Sequence, residues 1–167
     1  MSGFLTPLIV EYVEPWAFNT PDIWVDNDGT SRWRPAVRFD YYSDMLGGTV
    51  KVEAGFHTDA ASVPVTPFLY AIYGNRYMRP SLTHDYLCRM RKYRRTLCDQ
   101  VFLEAMRLEN ALEIAAMRKS GIDEDTVSER ASALEARAYQ MYLGARIYTA
   151  LGKWRTEIDE EGFNPVE

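Results

Sequence analysis

The sequence predicts an α+β fold, with a small antiparallel β-sheet in the N-terminal part and a C-terminal group of three to four helices. Three observations carry this. Apolar and polar residues alternate with period two in short runs before residue 54. Pro64 and Pro67 then forbid a continued central strand. Beyond them apolar residues recur at helical spacing, with two [Ser/Thr]-x-x-[Asp/Glu] helix-start signals. The chain has 167 residues, 47% of them apolar, which is enough for one ordinary core and too little for two. A single domain over residues 1–156 is therefore expected, strand-rich over 1–64 and helical over 65–156, followed by an acidic tail at 157–167.

Taken in order, residues 8–13 form a run rich in β-branched and aromatic side chains that suits a strand. Asp28-Gly29 marks a tight turn between Ile23-Trp24-Val25 and Trp33. Residues 36–42 alternate as a half-buried strand should, Gly47-Gly48 breaks the chain, and residues 49–53 alternate again. Residues 68–73 suit a short helix ended by Gly74. Pro80 or Ser81 begins the helix that carries His84 and Asp85. Thr96 and Asp99 form the start signal of a long helix to about Lys119 or Ser120, with Phe102, Met106, Leu112 and Ile114 among its apolar positions. Thr126 and Glu129 open a last helix through Leu134, Ala138, Tyr142, Ile147 and Leu151.

Composition excludes some functions. There is no basic-plus-apolar leader and no run of about 18 apolar residues, so a soluble chain without a membrane span is expected. Cys88 and Cys98 cannot make a disulfide-rich scaffold and their spacing fits no zinc motif, so reduced thiols are expected. A net charge of −5 argues against broad nucleic-acid binding, which needs a basic footprint.

The chemistry-bearing residues concentrate between 57 and 102, where both histidines lie. On a helix Asp85 is turned by about 100° from His84, so the two face different neighbours. The link from Met90 to Arg95 is short, and Asp99 on an antiparallel second helix is placed to reach the imidazole. A carboxylate fixes the tautomer of a histidine and raises its basicity, which makes His84 and Asp99 the candidate catalytic pair. The competing reading has Asp99 capping its helix and His84 as a hydrogen-bonded core residue. The polar run from His57 to Pro64 also has two readings. Asp59 and Ser62 suit turn closure. Folded over the His84 helix, Asp59 and Asp85 would instead supply hard oxygen ligands to Ca²⁺ or Mg²⁺. A zinc site from His57, Asp59 and His84 is the lesser option, since the spacing matches no strong zinc signature.

Residues 89–95 hold five cations in seven positions of an otherwise acidic chain. They read either as a solvated turn whose cations complement a helix C-terminus, or as a patch in which Arg91, Lys92, Arg94 and Arg95 contact phosphate or an acidic partner.

Gly55-Phe56-x-Thr58-Asp59-x-Ala61-Ser62-x-Pro64, His84-Asp85-Tyr86-Leu87 and Asp99-x-x-Phe102-x-x-x-Met106 together resemble an uncharacterised phage and prophage domain family. Its pattern is a G-F-x-T-D-x-A-S-x-P loop, an H-D-x-L-Y helix and a D-x-x-F-x-x-x-M helix. This chain departs from it at Cys88, where the family has tyrosine. The resemblance covers about residues 50–110 and implies a virion- or tail-associated component. Such a protein would be made in the host cytoplasm and partnered by other phage structural proteins. More distantly, the helix pair is similar to the catalytic helices of secreted phospholipases A2. That likeness implies His84 as the water-activating base, Asp85 as a calcium ligand and Asp99 as the group that orients the histidine, in a hydrolase of ester or cell-envelope substrates. The glycine-rich calcium loop and disulfide framework of those enzymes have no counterpart here, so the Asp59 loop would have to take the first role.

Overall fold

The computed structural model describes residues 1–12, 33–58 and 77–150. Among these residues the chain runs through five strands, β1 (Gly3–Phe4), β2 (Val10–Tyr12), β3 (Trp33–Pro35), β4 (Phe39–Ser43) and β5 (Gly48–Val52). Three helices follow, α1 (Met78–Met90), α2 (Arg95–Lys119) and α3 (Glu124–Ala150). The α+β arrangement read from the two periodicities is the observed one.

Alternation builds the sheet. In β4, Phe39, Tyr41 and Ser43 are buried while Asp40 and Tyr42 are partly exposed, which commits one face to the core. β5 pairs with it antiparallel, Tyr41 opposite Val50 and Phe39 opposite Val52, so four buried side chains share that face. Gly47 makes the hairpin turn at φ +61°, a conformation that costs glycine little, and donates its N–H to Asp44 O at 3.2 Å. β1 pairs with the other side of β4, giving the order β1-β4-β5. β2 and β3 form a separate two-stranded antiparallel sheet.

The strand expected over 36–42 begins later, at Phe39. Ala36, just past β3, donates its N–H to Ile9 O at 2.8 Å beside the second sheet, and the residues that follow carry the chain from one sheet to the other. Of the run at 8–13, residues 10–12 form β2 and Val13 lies outside the described residues; β1 is too brief for a period to reveal. The Ile23-Trp24-Val25 run, the turn at Asp28-Gly29, the short helix at 68–73 and the acidic tail lie outside the described residues.

The helices start where backbone geometry allows, not where the signals stood. α1 begins at Met78 after Tyr77 at φ +64°, so Pro80 occupies the first turn, where its missing N–H breaks no helical bond. α2 begins at Arg95 after extended Arg94, and no side chain caps it. Thr96 and Asp99 are therefore inside the helix, and the capping role weighed for Asp99 is not the one it has. α3 begins at Glu124, earlier than expected, because Asp123 is the cap. Its carboxylate accepts from the Thr126 N–H at 2.8 Å and from the Thr126 hydroxyl at 2.7 Å. Replacing Asp123 with alanine should lower the thermal unfolding midpoint by about 2–4 °C, and an unchanged melting curve would show that the cap contributes nothing.

α2 organises the core because it is apolar on more than one face. Val101 and Ala105 join Phe39, Tyr41, Val50, Val52, Phe56, Leu82, Leu87 and Cys98 against the sheet. Phe102 and Met106 pack with Tyr77, Ala138 and Met141, and farther along Ile114 meets Val127 and Leu134. Each fully buried aliphatic or aromatic side chain stabilises by about 1.5–3 kcal/mol, so these clusters dominate the favourable side of folding. The α2–α3 turn closes through Gly121 at φ +76°, with the Ile122 N–H donating to Met117 O at 3.2 Å. No helix among the described residues is long and apolar enough to cross a membrane.

Candidate functional site

α1 and α2 are antiparallel neighbours joined through Arg91, which sits at φ +51°. That hairpin brings His84 against Asp99. Only 7% of His84 and none of Asp99 is exposed. The carboxylate has no proton to give, so His84 Nε2–H donates to Asp99 Oδ1, at 2.9 Å. The imidazole also stacks on Phe102, three residues beyond Asp99 and so on the same helical face, with ring centroids 4.7 Å apart and planes at 29°.

Asp99 is where the three helices meet. Arg95, one turn earlier on α2, brings its Nε to 3.2 Å from Asp99 Oδ1. From α3, Arg146 Nη1 lies 3.7 Å from Asp99 Oδ2 and donates to Thr96 Oγ1 at 2.9 Å. One buried carboxylate thus draws an imidazole and two guanidinium groups from different elements. Its Oδ1 accepts from His84, whereas its buried Oδ2 accepts no hydrogen bond and has the Arg146 charge at 3.7 Å to offset its desolvation.

Asp85 takes the other side of the ring. Its Oδ1 is 3.7 Å from His84 Nδ1, and its Oδ2 accepts a hydrogen bond from Thr58 Oγ1. Thr58 is fully buried and exchanges two backbone hydrogen bonds with Trp33, at 3.0 and 2.9 Å. Arg89, one turn after Asp85, donates to His57 O at 3.1 Å and lies over the Phe56 ring. One face of α1 therefore grips the segment leaving the sheets while another meets α2.

Burial works against a charged His84, but the carboxylates of Asp85 and Asp99 outweigh it and the opposing Arg95, and the pKa is raised from 6.5. Below the ordinary value the imidazolium contributes its full stabilisation. As pH rises through the raised folded-state value that contribution is lost. Stability to urea should therefore fall from about pH 6.5 upward in the wild type but not in His84→Gln. Identical pH profiles for the two proteins would show that the ring is neutral.

This arrangement is poorly suited to a general base. Both ring nitrogens face carboxylates and the buried ring lies on Phe102, so neither nitrogen is presented to a substrate or water. Two surface hollows lie elsewhere, one beside Leu8, Arg79 and Glu109 and one beside Ile114 and Glu135, and His84 lines neither. Calcium needs six to eight oxygen ligands. One Asp85 oxygen is committed to Thr58, Asp99 lies across the ring among cations, and Asp59 and Ser62 lie outside the described residues. Among the described residues no three His, Cys, Asp or Glu side chains gather as a metal site requires, so the described donors fit neither Ca²⁺ nor Zn²⁺.

The basic run divides. Arg95 turns inward to Asp99, whereas Arg91, Lys92 and Arg94 are exposed at the hairpin turn. Sequence reasoning placed His84, Asp85 and Asp99 in one neighbourhood but missed the parts of Thr58, Phe102 and Arg146. Thr58 stood beside Asp59 in a recognisable motif and Phe102 one turn from Asp99. Arg146 carried no signal at all.

No curated protein and no solved structure matches the chain. One protein family does, over residues 33–118, a span that runs from β3 through almost all of α2 and holds His84, Asp85 and Asp99. That span exceeds half of the chain, which therefore belongs to the family described as protein of unknown function (DUF1353).

Proposed function

We propose that this chain is a phage- or prophage-encoded structural or accessory component of the virion or tail, in which His84, Asp85 and Asp99 act as a polar lock. One observation carries the choice of lock over catalytic centre. The imidazole is buried, faces a carboxylate at each nitrogen and rests on Phe102, so its contacts are spent within the protein. The lock ties the Thr58 segment to α1, α1 to α2, and α2 to α3.

Support for the phage setting is the order of the three motifs around Thr58, His84 and Asp99. Support for assembly comes from α3. Its inner face buries Val127, Leu134, Ala138 and Met141. Tyr139, Leu143 and Ile147, four residues apart, are 48, 40 and 59% exposed and form an outer apolar ridge. A helix apolar on two faces suits a second protein on the outer one, here another structural protein of the particle. The chain is made in the host cytoplasm and carried into the virion.

The test is mass spectrometry of purified particles, with wild type and Leu143→Glu compared. Wild type should co-purify with particles, and the folded variant should not. Absence of wild type from particles would overturn the reading. If folded His84→Gln also abolished hydrolysis of an ester or phospholipid by wild type, the hydrolase alternative would replace it.

A further inference from the structure

Cys88 and Cys98 have no part in the polar lock, yet the fold brings them together. Cys88 lies one turn beyond His84 on α1 and is half-buried; Cys98 is buried in the first turn of α2, next to Asp99. The His84 and Phe102 rings stack across the helix hairpin, and Cys88 lies four residues after the first and Cys98 four residues before the second, so the antiparallel register sets the two cysteines opposite each other, both reduced. Cys98 belongs to the main apolar cluster, Cys88 packs against it, and Cys98 Sγ lies 3.8 Å from Tyr93 O. The His84–Asp99 contact sets the register of the two helices close by. The sulfurs are thus held in place by packed helices and not by a loose loop.

We propose that Cys88 and Cys98 are a modification site, a dithiol that a peroxide-class oxidant converts into an intramolecular disulfide stapling α1 to α2. The two positions have different roles. Cys88 is the less buried residue of the two. The Cys98 thiol is pulled down by the hydrogen bond from Cys88 and by the charges of His84 and Arg95, against its burial, which favours its thiolate as the second nucleophile.

In the first step the Cys88 sulfur attacks one oxygen of hydrogen peroxide. The O–O bond breaks, an S–O bond forms, and the departing hydroxide leaves as water with the thiol proton. In the second, the Cys98 thiolate attacks the Cys88 sulfur. The S–S bond forms as the S–O bond breaks, and hydroxide leaves to become water with the proton that Cys98 gave up. Two thiols and one peroxide give one disulfide and two waters; both sulfurs are oxidised and the peroxide is reduced. Because the Cys88 thiol is held well above its ordinary pKa by the contact with Cys98 and by burial, the first step is the slow one and little sulfenic acid accumulates.

The experiment treats the full-length chain with hydrogen peroxide and follows intact mass, alkylatable thiols and thermal unfolding. The expected product is a monomer about 2 Da lighter with no alkylatable thiol. It should unfold about 5–10 °C higher, and dithiothreitol should reverse all of these changes. Cys88→Ser and Cys98→Ser should each melt like reduced wild type and show no peroxide-dependent rise. Two thiols still alkylatable after treatment, sulfinic acid on Cys88 beside an intact Cys98, or a disulfide between two chains would each overturn the proposal.

Discussion

Replacing Asp99 with alanine is expected to cost about 3–5 kcal/mol of folding stability, because it removes the buried carboxylate on which His84, Arg95 and Arg146 converge. In its absence His84 loses its partner at 2.9 Å, Arg95 its neighbour at 3.2 Å and Arg146 its neighbour at 3.7 Å. Asp99 itself is wholly buried, so the void left behind lies within the helix junction. Asp99→Asn should cost less, since its amide oxygen can still accept the Nε2–H, but it removes the charge that favours the imidazolium. The His84 titration, followed by NMR, should therefore move to lower pH in the asparagine variant. Urea unfolding measures the stability change. A midpoint for Asp99→Ala equal to that of wild type would remove the basis for regarding the cluster as a lock.

Glu104→Ala is expected to cost about 2–4 kcal/mol through loss of an acceptor shared by two parts of the chain. Glu104 lies on α2, and its carboxylate receives the Ser2 hydroxyl at 2.7 Å, the Tyr41 phenol at 2.8 Å, the Ser43 hydroxyl at 2.5 Å and the Met45 N–H at 3.1 Å. Tyr41 and Ser43 are fully buried, so water cannot readily replace the lost acceptor. Burial, and then the hydrogen bond to Glu104, hold the Tyr41 phenol far above its ordinary pKa, consistent with a proton permanently given to that bond. Glu104→Gln should lose less, because its side-chain oxygen still accepts. Chemical unfolding of the two variants beside wild type tests this. Equal stability of all three would mean that the network is replaced at no cost. Nothing in the local sequence distinguishes Glu104 from an ordinary solvent-facing glutamate on an amphipathic helix.

Local order determined the elements and their approximate places. Phe39, Tyr41, Val50 and Val52 alternate because successive side chains of a strand point to opposite faces, and that pattern is visible without partners. Gly47-Gly48 announced the turn and the brevity of the link after Met90 announced the helix hairpin, which put His84 and Asp99 on neighbouring helices. The exact starts were misread because more than one side chain near each terminus had the chemistry of a cap. Asp123, not Thr126, accepted the free N–H, and α2 formed without a side-chain cap. Tertiary structure alone decided which groups meet. Arg146 reaches Asp99 across 47 positions, Thr58 reaches Asp85 across 27, and Glu104 gathers donors as far away as Ser2. Periodicity states which face of an element is apolar, while the partner that a buried polar group finds depends on how distant elements pack. The histidine and its two carboxylates were therefore legible as residues, whereas the contacts that join them to Thr58, Phe102 and Arg146 were not.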